Sequence, residues 1–295
     1  MVADYISRGI ILVTGTTGYR KLPRSGFVQL LYVLSRGDRH MDKYDEIVRM
    51  WRGWLVSTIS DIDIRLHNFK ILFAYNSGKI ENENITYHDT REIFENGRAV
   101  NFTGNPRTLF ELGNQRLCYE FLKQKIADRE QITAQIILET HAVLTGGTYD
   151  ERSFVDRGER PGTFKKHDYV IGRDEVGSLP EDVPGDIADL LDEVRDYVDG
   201  NILKAASYFH LRFEYIHPFA DGNGRVGRTL LNYFLMTRDH PPVIIHEDEK
   251  DKYYAALEIY DKAKDIMPMY EFLRRQTERT WEKMLERTKM TGGDD

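Results

Sequence analysis

From residue 42 onward, apolar positions recur mostly at three- and four-residue steps, the spacing that gathers them on one face of an α-helix. Ile47, Trp51, Trp54, Leu55, Ile59 and Ile62 predict two helices between Asp42 and about Ala74. The period returns from Leu117 to Leu144, and after Asp186 it dominates: Ile187, Leu190, Val194 and Val198, then Ile202, Ala205, Phe209 and Phe213, then Val226 to Met236, then Tyr253 to Phe272. Between Glu151 and Pro184 the chain is rich in Gly, Pro and charge, and Tyr169-Val170-Ile171 is its strand-like run, which predicts a loop or small hairpin. The fold expected is mainly α. Residues 1–40 carry six basic residues against two acids, with Gly and Pro scattered among them, and read as a weakly structured leader.

Charge and cysteine usage narrow the classes of function. A formal net charge of −7 argues against nucleic acid as a partner, because phosphate-backbone binding needs an excess of Lys and Arg. The single cysteine, Cys118, excludes an internal disulfide framework and a multi-cysteine zinc site, and reads as a core thiol in a reducing compartment. No apolar run reaches the roughly 20 residues that span a bilayer, so no membrane role is expected and the location expected is cytoplasmic.

Chemistry concentrates in the twelve residues His217-Pro218-Phe219-Ala220-Asp221-Gly222-Asn223-Gly224-Arg225-Val226-Gly227-Arg228, which lie between two amphipathic patterns. His217 can take a proton near neutral pH, and Asp221 offers hard carboxylate oxygens suited to Mg²⁺. Gly222 and Gly224 free the backbone to aim N–H groups at an anion where the next helix begins and its dipole is positive. Arg225 and Arg228, three apart on that helix, can face one side and grip adjacent phosphates. Base, metal and polyphosphate are all provided for.

These residues fill every specified position of the signature His-x-Phe-x-Asp/Glu-Gly-Asn-Gly-Arg-x-x-Arg, and the chain resembles the Fic family of protein adenylyltransferases over about residues 60–275. Gly162-Thr163-Phe164-Lys165 through Ile171-Gly172 resembles the family's β-hairpin flap, with Lys165 where an Arg is common. Leu230-Leu231-Asn232 and the run from Tyr253 and Tyr254 to Leu257 resemble the helices that close the adenine pocket. The resemblance implies a Fic-type helical bundle and transfer of AMP from ATP to a Tyr, Thr or Ser hydroxyl of another protein or of the chain itself. It implies His217 as general base, Asp221 as ligand of Mg²⁺ or Mn²⁺, and Gly222, Asn223 and Gly224 as a phosphate cradle that uses the Asn223 side chain as well as the amides. Arg225 and Arg228 would hold the β- and γ-phosphates, Asn232, Tyr253 and Tyr254 would border the nucleotide, and Thr163, Phe164, Lys165 and Ile171 would form the flap. Phe219 is expected to anchor the loop in the core. Gly224 also separates this sequence from the related Doc kinases, which carry Lys there. A homodimer is implied by family analogy alone.

Ser77-Gly78-Lys79-Ile80-Glu81-Asn82 matches the family's inhibitory pattern Ser/Thr-x-x-x-Glu-Gly/Asn, and an i,i+4 spacing puts Ser77 and Glu81 on one helical face. The expectation is an N-terminal inhibitory segment whose Glu81 reaches Arg228, competing with an ordinary helix end as the bland alternative. The corresponding domain plan is a leader over 1–40, an inhibitory helical segment over 41–105, a Fic domain over 106–280 and a polar tail over 281–295, with Met41 as a candidate functional start. The alternative function is a nucleotide-binding regulator with little transfer activity, or a transferase using another nucleotide.

Several features receive ordinary readings. Gly222-Asn223-Gly224-Arg225-Val226-Gly227 fits Gly-x-Gly-x-x-Gly literally, but no buried strand precedes it as a dinucleotide fold requires. Ile10 to Gly18 imitates a dehydrogenase opening until Lys21 replaces the third glycine. His141 reads as a packed or surface histidine, and Glu247-Asp248-Glu249 as a solvated turn.

Overall fold

A computed structural model of the chain describes residues 41–99, 102–171, 175–195 and 200–291. The expected leader and its Ile10–Gly18 run lie outside the described residues. The remainder is helical: α1 (Lys43–Gly53), α2 (Ile59–Arg65), α3 (His67–Glu81), α4 (Tyr87–Asn96), α5 (Pro106–Ala127), α6 (Ala134–Thr145), α7 (Val183–Arg195), α8 (Ile202–Ile216), α9 (Asn223–Met236), α10 (Lys250–Ala263) and α11 (Met267–Thr291). Two short strands, β1 (Val170–Ile171) and β2 (Glu175–Val176), pair antiparallel with Val170 opposite Val176. The element class follows the apolar period, as the sequence predicts.

Polar side chains set the helix starts. Thr58 and Asp61 form a reciprocal capping box that opens α2. Asn105 caps α5 with Pro106 as its first residue, Thr133 caps α6 and Asn201 caps α8. These caps explain two departures from the apolar pattern. The stretch between Asp42 and Ala74 makes three helices rather than two, because the box at Thr58 and the break at Leu66 divide it. The run from Leu117 to Leu144 is likewise split, with Arg129 in the left-handed region (φ 53°) and a fresh start at Thr133.

Helix α8 is the hub, packed against α7, α9, α10 and α11, and α9 in turn meets α3, α5 and α6. One core runs through the bundle, from Tyr44 and Trp51 of α1 to Trp281 and Leu285 of α11. That continuity corrects the expected domain plan. No boundary falls near residue 105, since Ile47, Phe69, Leu122 and Phe209 share the core. Nor does a tail begin at 281, because α11 continues to Thr291 and buries Trp281 and Leu285. Cys118 is a free, buried thiol, as expected. Among the described residues, no helix is long and apolar enough to cross a membrane.

Candidate active site

His217 closes α8 with φ 50°, and its amide donates to the Phe213 carbonyl at 3.0 Å. A left-handed residue with a Cβ is strained, and here it ends the helix and leads the chain into the turn of residues 218–222 that precedes α9. Phe219 is fully buried and fixes the turn: its ring stacks on His141 at 3.7 Å with a 2° interplanar angle, and Phe164 and Phe213 close around it. Asn223 completes the loop by accepting from the Phe219 amide at 2.9 Å and donating to the Phe219 carbonyl at 2.7 Å. Its side-chain amide is thereby committed to backbone, which differs from the expected side-chain contact with phosphate.

The flap stem is fastened to both neighbours of His217. The Lys165 amide donates to the Pro218 carbonyl at 2.9 Å, and the Ser178 amide to the Ile216 carbonyl at 3.0 Å. Upstream, the Gly162 amide donates to His141 Nδ1 at 2.8 Å, so the other ring nitrogen carries the proton and donates to the Asp221 carbonyl at 3.1 Å. His141 therefore pins flap and motif loop together, and burial holds it neutral by pushing its pKa down to about 4. The sequence offers a helical histidine there and no sign of this role. Glu159 is buried within the stem and accepts from the Lys166 amide, His167 Nδ1 and Tyr169 Oη. Of the expected flap residues, Thr163 bonds the Arg160 carbonyl, Phe164 faces Phe219 and Lys165 is buried, while the side chain of Ile171 lies outside what is described.

Gly222 caps α9 with φ 85°, and the N-terminus of that helix faces the motif loop. Arg225 and Arg228 are both buried. Arg225 pairs with Asp221 through Nη2 and with Glu111 through Nη1, each at 3.4 Å, and its buried Nε and Nη1 make no hydrogen bond within the chain. Asp221 is 36% exposed and engaged by a residue that sequence reading misses: Arg107 Nη2 lies 2.7 Å from its Oδ2. Arg107 also bonds Glu111 at 3.0 Å, and Glu111 accepts from Asn82 Nδ2 at 2.9 Å. Arg107 stands 114 residues from Asp221, on α5, so no local pattern marks it.

Glu81 reaches Arg228. Its Oε1 accepts from Arg228 Nη2 at 2.8 Å, Ser77 Oγ accepts from Nε at 3.0 Å and the Ser77 carbonyl accepts from Nη2 at 2.9 Å. Burial alone would lower the Arg228 pKa, but Glu81, Tyr253 and Glu214 hold it above its ordinary value. A Cβ on Gly224 would fall 2.4 Å from Glu81 Oε1, so the carboxylate lies directly over the helix start. Asn82 does not share this contact and instead braces Glu111 and Thr108.

Of the remaining candidates, Asn232 spends both polar atoms on the Val243 backbone, at 2.7 and 2.9 Å. Tyr253 is buried, with Oη 2.8 Å from His210 Nε2, whereas Tyr254 is 44% exposed. Behind Arg228, burial pushes the Glu214 carboxyl up to about 8. Asp248 pairs with Arg279 through both oxygens at 2.9 Å and Glu249 bonds Lys252 and Gln276, so that acidic run serves the surface. Gly222 follows a helix and turn rather than a strand, which removes the dinucleotide-fold reading.

Residues 131–235 match the family model described as Fic/DOC family. This chain belongs to the Fic/DOC family. Over 212 residues it is 32% identical to the protein adenylyltransferase Fic of Drosophila willistoni, a match covering 70% of this chain and 40% of that protein. The corresponding protein of Drosophila melanogaster is 31% identical over 212 residues, with the same coverage. The match thus spans about two-fifths of the curated relatives. Two solved structures share the fold. A Fic domain containing signaling protein from Bacteroides thetaiotaomicron superposes with a TM-score of 0.70 at 23% identity, over 83% of this chain and 96% of that one. A Fic-1 fragment from C. elegans gives 0.68 at 22% identity, over 91% and 77%. The Fic match runs from just before α6 to the end of α9, and so contains His217, Asp221 and both arginines, whereas Glu81 and Arg107 lie upstream of it.

Proposed function

We propose that this Fic protein is a protein adenylyltransferase, moving AMP from ATP to a hydroxyl of a protein and held at low activity by Glu81. The observation that carries the reading is the joint placement of His217 on its left-handed turn and two buried arginines on α9. In this reading ATP lays its polyphosphate across the start of α9, where the Gly222 to Gly224 amides and the helix dipole favour negative charge. Arg225, and Arg228 once released by Glu81, bind the terminal phosphates.

His217 then takes the hydroxyl proton as the oxygen attacks the α-phosphorus. An oxygen–phosphorus bond forms, the α–β bridging bond breaks, and pyrophosphate departs with the electron pair. Burial, and next the Lys165 charge, push the His217 pKa down to about 4, so the ring is a neutral acceptor at physiological pH. Asp221 offers one hard carboxylate, partly open to solvent and held now by Arg107, that would ligate Mg²⁺ or Mn²⁺. A cation there would neutralise charge on the polyphosphate.

The Glu81 contact also supports a second reading, in which the basal state binds nucleotide and transfers little. The partner is a protein, this chain included, the location is cytoplasmic and a homodimer is the assembly. Incubating the protein and a lysate with Mg²⁺ and ATP labelled on either the α- or the γ-phosphate tests the reading. Label from the α position alone on protein supports AMP transfer, and label from the γ position alone would replace it with phosphorylation.

A further inference from the structure

Lys165 is 3% exposed, and its Nζ is buried with no hydrogen-bond partner. An ammonium in that position has lost its water without gaining a hydrogen-bond partner in the chain, which is unfavourable unless another group compensates the charge. Its place is close to the proposed chemistry. Gly177 packs directly against both residues: a Cβ there would fall 2.8 Å from His217 Cβ, 2.9 Å from the Ile216 carbonyl oxygen and 3.0 Å from Lys165 Nζ, so only glycine fits. Base and ammonium therefore pack against the same glycine, close to one another. The lysine backbone is rigidly placed, since its amide bonds the Pro218 carbonyl beside the base. Burial lowers the Lys165 pKa, with Asp168 as the charge that opposes the change.

We propose that Lys165 is a further catalytic residue, whose ammonium binds the non-bridging oxygens of the α-phosphate beside His217. This rests on the reading of His217 as the base for AMP transfer. The missing partner of Nζ is then the substrate, and the buried charge is compensated when the phosphate arrives. As the hydroxyl attacks and its proton passes to His217, negative charge grows on those oxygens, where a fixed cation stabilises it more than in the ground state. Arg225 and Arg228 serve the phosphates that leave, and Lys165 serves the one that is transferred. The same ammonium adds to burial, the larger cause, in keeping His217 unprotonated before attack. The charged and titratable groups facing His217 are Lys165, which lowers its pKa, and Glu81 and Asp221, which raise it, with the Glu214 backbone also raising it through a hydrogen bond.

The test uses the full chain carrying Glu81→Gly, so that transfer is measurable, with Lys165→Met and Lys165→Arg added singly. Lys165→Met should lower the rate of α-label transfer by about 10²–10³-fold, the usual worth of one preorganised charge at a developing oxyanion. Its Tm should not fall, because the change removes an unpaired buried charge. Its acid limb of kcat/KM, and the His217 ring followed directly by NMR titration without substrate, should move up by about one pH unit. Lys165→Arg should restore most of the rate. A Lys165→Met rate equal to the parent overturns the proposal. So does a slow variant with a lowered Tm and an unmoved His217 titration, which would make Lys165 a structural residue. If the parent itself transfers no AMP, the functional reading falls, and the titration arm still decides whether Lys165 governs His217.

Discussion

Glu81 Oε1 lies 2.8 Å from Arg228 Nη2, joining residues 147 apart in the chain across the start of α9. The contact works because α3 runs past α9 with a helical turn between Ser77 and Glu81, so both accept from one guanidinium. With that guanidinium taken and a carboxylate standing over Gly224, a triphosphate meets like charge where its end would lie. In-line attack tolerates misplacement of only about 1 Å, so one ion pair can suppress transfer without excluding nucleotide.

Ser77→Ala is expected to weaken this brake without abolishing it. Arg228 would lose the Nε bond to Ser77 Oγ but keep the Glu81 carboxylate and the Ser77 carbonyl. Loss of one of the three hydrogen bonds that hold the guanidinium, about 1.5 kcal/mol, limits the rise in α-label transfer to about 10-fold, short of the release expected on removing Glu81. A rate equal to wild type would assign restraint to Glu81 alone.

His217→Ala is expected to leave the fold and ATP binding nearly intact and to lower transfer by about 10²–10⁴-fold. Calorimetric ATP binding and label transfer on the same preparation check both halves. Transfer at the wild-type rate would remove His217 as the base.

Arg107→Ala is expected to free the Asp221 carboxylate and tighten Mn²⁺ binding, read by electron paramagnetic resonance, by about 2–5-fold. The modest size follows from partial exposure on both sides of the pair, worth up to about 1 kcal/mol. Asp221→Ala should instead lose metal-dependent transfer in a way that added metal only partly restores. Full activity in chelator would contradict the metal assignment.

How far the sequence carries this account depends on distance along the chain. The twelve-residue motif is local, so it announces His217, Asp221 and the α9 arginines together, and the i,i+4 step shared by Ser77 and Glu81 marks their common face. The apolar period finds the helices, but helix breaks come from single caps such as Thr58 and Thr133, which leave the period nearly undisturbed. His141 and Arg107 are invisible for another reason: each sits in an unremarkable helical stretch and gains its role only from partners 80 and 114 residues away. Asn223 and Asn232 show the converse limit, since a polar residue beside a motif can serve the backbone rather than a ligand.

Acid is expected to destabilise the protein between about pH 6.5 and 4. Burial pushes His141, His217 and His240 down to about 4 and His210 to about 3, whereas it raises Glu214 to about 8. Unfolded imidazoles titrate near about 6.5 and an unfolded glutamate near about 4.3. Between those values the unfolded chain gains protons on the four imidazoles, and folded Glu214 keeps one that the unfolded chain lacks, a net uptake on unfolding of up to about three. Stability from the histidines is thus present above pH 6.5 and lost as pH falls, and stability from Glu214 is lost as pH rises toward 8. Urea unfolding at pH 5 giving a higher midpoint than at pH 6.5 would contradict this sign.

The central claim, a catalytic motif restrained by Glu81, is tested most directly by measuring α-phosphate label transfer at equal ATP and Mg²⁺ for wild type and Glu81→Gly. The account predicts a rise of about 10²-fold in the variant, abolished when His217→Ala is added. Equal transfer by wild type and Glu81→Gly would contradict it and reduce Ser77 to Asn82 to an ordinary helix end.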